Sequence, residues 1–76
     1  MINEHDCVVL LEDIPSEALA AGDVGTVLHI HGEHEGYEVE FMTLTGDTVA
    51  LASVRAAAVR AVDSRDVVHV RERSVA

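Results

Sequence analysis

Tyr37, Val39 and Phe41 alternate with Glu38 and Glu40, apolar against acidic, one residue at a time. A strand sends successive side chains to opposite faces, so this stretch predicts an antiparallel strand with one face on a core and one in water. Asp23–His31 reads as a second strand. Val24, Thr26, Leu28 and Ile30 share one face of it, and Gly25, Val27, His29 and His31 share the other. The polar, glycine-bounded segment Gly32–Gly36 joins the two as a hairpin. Thr43–Asp47 turns again with Gly46 and Asp47 at its tip, and Thr48–Ser53 is a further strand. Upstream, His5–Glu12 carries a short Val/Leu run whose length and β-branched pair favour a strand. Pro15 ends it, since proline has no N–H for a ladder. Pro15–Gly22 has room for one helical turn, with Gly22 as its left-handed stop.

The C-terminal third is less regular. Val54–Val62 is alanine-rich, and Leu51, Val54, Ala58 and Val62 fall at helical spacing, so helix and strand both stay open there. Asp66–Arg73 reads as a last strand, Val68 and Val70 on one face and His69, Arg71 and Arg73 on the other. Short strands joined by tight glycine turns predict an all-β small barrel or sandwich. Its expected core is Val8 or Val9, Leu10 or Leu11, Leu28, Ile30, Tyr37, Val39, Phe41, Val49 or Ala50, Leu51 and Val62.

Length limits this to one domain over residues 1–76. Such a domain buries only about 60–65% of its unfolded surface, and a lone cysteine provides no disulfide staple. Cys7 is expected as a small buried hydrophobe. With 49% apolar residues the chain is too hydrophobic to be disordered. Its apolar runs are far too short to span a bilayer, and its first residues are acidic where a secretory signal is basic. The expectation is a soluble, cytoplasmic protein. Charge sharpens the picture. Net charge is −9, and residues 1–50 carry eleven acids with no Lys or Arg, while all five Arg lie in residues 51–76. Such a front opposes phosphate backbones, so no nucleic-acid partner is expected. It suits electrostatic capture of a basic protein.

Four segments in order carry a family resemblance: the Val/Leu strand, the Asp13-Ile14-Pro15 corner, Gly22-Asp23-Val24-Gly25-Thr26-Val27, and Tyr37-Glu38-Val39-Glu40-Phe41 followed by Gly46-Asp47-Thr48. Over roughly residues 7–62 the chain resembles the short bacterial proteins catalogued as domain of unknown function 4926. The resemblance implies an SH3-like barrel of five or six short antiparallel strands with one short helical turn, and favours a strand at Val59–Val62. It implies no catalytic residues. It also hints at small companions of other, sometimes toxin-like, proteins.

Three constellations bear on chemistry. The glycines at 22 and 25 are spaced like part of a phosphate loop, but Asp23 lies between them and no base is near. A positive φ at Gly22 and a bulge or close strand crossing at Gly25 explain them instead. His29, His31 and His34 could share a zinc or nickel ion, although nothing in the spacing fixes a fourth ligand. Glu38 and Glu40 could form an acid–base pair, yet their alternation with core residues already accounts for them. No nucleophile has an oriented base, so no enzyme is expected. The leading expectation is a non-catalytic protein-binding module that presents Asp23, Glu33, Glu35, Glu38 and Glu40 to a basic partner, as an immunity protein or antitoxin would. The alternatives are a metal-binding protein using the three histidines and a homo-oligomer in which the arginine tail of one copy meets the acidic front of another.

Overall fold

The computed structural model describes residues 1–73. Five strands are present: β1 (Cys7–Leu10), β2 (Val24–His31), β3 (Gly36–Met42), β4 (Thr48–Arg55) and β5 (Val59–Ala61). They form one antiparallel sheet in the order β4-β3-β2-β1-β5. β1 to β4 meander, and β5 then returns to the free edge of β1, with Leu10 opposite Val59 and Val8 opposite Ala61. The all-β class is therefore as expected, and the strand order is compatible with the SH3-like barrel that the resemblance implies.

The ambiguous Val54–Val62 stretch is neither one helix nor one strand. β4 runs through Arg55, the three alanines Ala56–Ala58 make a single 3-10 turn, and β5 begins at Val59. This short turn links β4, at one edge of the sheet, to β5, which pairs with β1 at the other. The expected strand at Asp66–Arg73 does not form: these residues carry no ladder, and two arginine side chains hold them instead. The helical turn shortens to Pro15–Glu17, with Pro15 pre-set for its first position. Ala18, at φ 55°, ends it in the left-handed conformation expected of Gly22. Gly22 has φ 97° but serves the next turn, donating its N–H to Leu10 O at 2.8 Å.

Inner-face rows of the sheet build the core by matching large residues with small ones. Phe41 lies opposite Gly25 on one side and Ala50 on the other. Val39 is flanked by Val27 and Ala52, and Tyr37 by Ile30 and Val54. Val8, Leu10, Leu19, Ala58 and Val59 complete it. Gly25 is buried because nothing larger fits: a Cβ there would lie 2.5 Å from Val39 Cγ1 and 2.9 Å from Glu40 O. The close-crossing explanation for this glycine therefore holds.

Several core assignments change. The β2–β3 register shifts between Val27 and His29, so Leu28 is an extra residue opposed by no partner. Upstream of it the odd positions Gly25 and Val27 face inward; downstream the even position Ile30 does. Leu28 and Val24 are exposed as a result. A second shift makes Val49 the extra residue of β4, setting Ala50, Ala52 and Val54 inward and Leu51 outward. Val62 lies past the end of β5 and is exposed. Cys7 is exposed rather than buried, because Val8 and Leu10 take the inward positions of β1.

Candidate functional site

Directly opposed residues of an antiparallel pair share a face. Glu38 of β3 lies between His29 of β2 and Ser53 of β4, and Glu40 lies between Thr26 and Leu51. These rows make the outer face of the sheet. Both carboxylates accept hydrogen bonds from neighbouring hydroxyls: Ser53 Oγ donates to Glu38 at 2.8 and 3.0 Å, and Thr48 Oγ1 donates to Glu40. Hydroxyl donors orient the carboxylates and leave their charge in place. Glu33 and Glu35 are exposed in the adjoining β2–β3 turn. Among the described residues, none of these four glutamates forms an ion pair.

Asp23 has a different position. The loop between β1 and β2 closes on its own acids: Asp13 accepts from Ala21 N–H at 2.8 Å and Asp23 from Ala20 N–H at 2.9 Å. Asp23 is partly buried and also receives the Arg71 guanidinium on both carboxylate oxygens. Burial pushes its carboxyl up, but the Arg71 and Ala20 hydrogen bonds outweigh this and hold it below the usual carboxylate range. Asp23 is thus a compensated charge, unlike the four glutamates. The other arginine pairs are Arg55 with Glu12 at 2.5 Å and Arg60 with Asp66 at 2.7 Å. Arg60 grips both oxygens of Asp66, and this bond together with the Asp63 N–H holds the Asp66 carboxyl far below its usual range. The arginine tail therefore meets the acidic front within one chain.

The histidines divide. His29 and His31 stack edge to face with ring centroids 5.1 Å apart, and His29 Nδ1 lies 3.7 Å from a Glu4 oxygen. His34 turns elsewhere: its ring stands against Tyr37 and its Nε2 lies 3.1 Å from Ile2 O. Among the described residues, no group of three His, Cys, Asp or Glu side chains is placed to hold a metal ion.

Where β2 begins and β3 ends, a cavity of about 610 Å³ opens between the sheet and residues 66–73. Val24, Met42, Leu44, Val49 and Val62 line it from the body of the domain. Arg71, Arg73 and the carbonyls of Glu17 and Ala18 stand at its side. The sequence marks Arg71 and Arg73 only as one face of a tail strand and does not show the cavity. The available signal was the Val70–Arg71–Glu72–Arg73 spacing, which puts two arginines two positions apart behind an apolar run.

No helix among the described residues is long and apolar enough to cross a membrane. No curated protein and no solved structure matches the chain. A family model does, over residues 4–61, from the approach to β1 to the last residue of β5. The chain belongs to the family described as Domain of unknown function (DUF4926).

Proposed function

We propose that this chain is a non-catalytic protein-binding module whose acidic outer sheet face takes a basic protein partner, in the manner of an immunity protein or antitoxin. One observation carries the reading. Glu38 and Glu40 stand on the outer face beside Glu33 and Glu35, and none of the four is ion-paired among the described residues, although three arginines pair with other acids. Uncompensated like charges on one face cost self-repulsion and raise the rate at which an oppositely charged partner arrives. The free, exposed thiol of Cys7 suits a reducing cytoplasm.

The test is the salt dependence of association. A basic partner captured from the native host at low salt should associate at least about tenfold more slowly at 0.15 M than at 0.01 M ionic strength, as the Debye length falls from about 30 to 8 Å. Glu38→Gln/Glu40→Gln should slow association at low salt and flatten that dependence. An association rate insensitive to salt removes the acidic face from the mechanism.

A further inference from the structure

Residues 66–73 cross the end of the sheet without joining it. A tight turn launches them, with Asp66 N–H donating to Asp63 O at 3.1 Å and the Asp66 carboxylate held by Arg60. Two arginines hold the far end. Arg71 donates Nε to Asp23 Oδ1 at 2.8 Å, Nη2 to Asp23 Oδ2, and Nη2 also to Ala18 O at 3.2 Å. Arg73 donates Nε and Nη2 to Glu17 O at 3.2 and 2.8 Å. The Glu17 and Ala18 carbonyls close the 3-10 turn, where a helix end leaves acceptors without partners of its own. Together with the Asp23 carboxylate they make a set of acceptors suited to two guanidinium groups two positions apart.

Between turn and clamp the tail is poorly packed. Val67, Val68 and Val70 are 88%, 78% and 69% exposed. The apolar cavity beside them, lined by Val24, Met42, Leu44, Val49 and Val62, stays open. Valines beside an unfilled apolar groove show a segment tied by its polar ends rather than by its fit. An arginine–carboxylate pair that is still in part open to solvent holds weakly, so such a strap can be displaced.

We propose that this groove docks an extended segment of a partner protein bearing two arginines two positions apart behind apolar residues, and that Arg71 and Arg73 of residues 66–73 hold the acceptors at its side until that segment displaces them. Charge complementarity supports that occupant: the Asp23 carboxylate and the Glu17 carbonyl accept two arginines in this structure. A second copy could offer only the same tail, against which each chain's own tail competes at high effective concentration. The groove uses Asp23 and two carbonyls rather than the Glu38–Glu40 face, so it can fail or stand independently of that reading.

The experiment uses the full chain and a capped, labelled peptide, DVVHVRER, copying residues 66–73. Arg71→Ala/Arg73→Ala frees the intramolecular tail. The freed variant should bind the peptide about tenfold tighter than wild type, corresponding to a tail docked about nine-tenths of the time. Asp23→Asn in that background keeps an acceptor for Ala20 N–H and should abolish the gain. Glu38→Gln/Glu40→Gln in that background should leave it intact. A peptide with both arginines replaced by alanine should not bind. Thermal melts establish that each variant is folded. Equal binding by wild type and the freed variant, indifference to Asp23→Asn, or no binding at about 1 mM peptide overturns the proposal. So does sedimentation showing a wild-type dimer that dissociates on Arg71→Ala/Arg73→Ala, since the tail then serves exchange between copies.

Discussion

Gly25→Ala adds one methyl group at the tightest point of the sheet. The new Cβ would lie 2.5 Å from Val39 Cγ1, 2.9 Å from Phe41 Cδ1 and 2.9 Å from Glu40 O. Burying a methyl would otherwise gain about 0.8 kcal/mol. Here the neighbours cannot yield cheaply. Val39 and Phe41 are fully buried, and Glu40 O belongs to a strand paired on both sides. Inserting a methylene into a packed core costs about 1–3 kcal/mol, and contact with two core side chains and one carbonyl places this case at about 2–3. A 76-residue domain has a total stability of about 4–11 kcal/mol, so the loss is a large share of it. At about 4–8 °C per kcal/mol, the melting temperature should fall by roughly 10–20 °C in a thermal melt followed by circular dichroism. Gly46→Ala is the control: nothing lies within 4 Å of a Cβ there, and only its φ of +95° resists the change, by about 1–2 kcal/mol. A double-mutant cycle separates the two causes. Val39→Ala should offset part of the Gly25→Ala loss, whereas it should add independently to Gly46→Ala. Gly25→Ala as stable as wild type, or strictly additive with Val39→Ala, would refute the close approach of β2 and β3.

Two further outcomes follow from the same geometry. Ala50 faces Phe41 while Leu51 faces outward, so Ala50→Leu should cost about 1–3 kcal/mol in urea unfolding and Leu51→Ser less than about 0.5; the reverse order would turn β4 over. The folded Asp23 carboxyl lies below its unfolded value of 3.8, so its anchor on the tail is fully present above about pH 4 and is lost as pH falls through the lower folded value. The Arg71 Nε–H resonance should therefore persist at pH 5 and vanish on further acidification; its loss near pH 6 would mean that another group holds the tail.

Legibility followed periodicity. The Tyr37–Phe41 alternation placed β3 correctly because β3 itself carries no extra residue: both register shifts are taken up by its neighbours, at Leu28 of β2 and Val49 of β4. The two glycine turns were placed correctly for the same local reason. Leu28 and Leu51 were assigned inward because alternation was carried through β2 and β4 without a break, and each strand contains one extra residue. No residue type marks such a break: Leu28 and Val49 are ordinary strand formers. At the site, the outward glutamates were readable from parity alone. The compensation of Asp23 was not, since Arg71 lies 48 positions away and reaches it through the fold. His34 was grouped with His29 and His31 by proximity in sequence, yet the turn swings it toward Ile2.

The unmatched Leu28 has a further consequence. It is the one residue of β2 whose removal would leave every remaining side chain on its present face, because Val27 already opposes Val39 and His29 already opposes Glu38. Its value must then lie in curvature. An extra residue on one strand bends that strand and increases its local coiling. A chain lacking Leu28 would keep the right inside and the right outside on a hairpin too flat to wrap around Phe41.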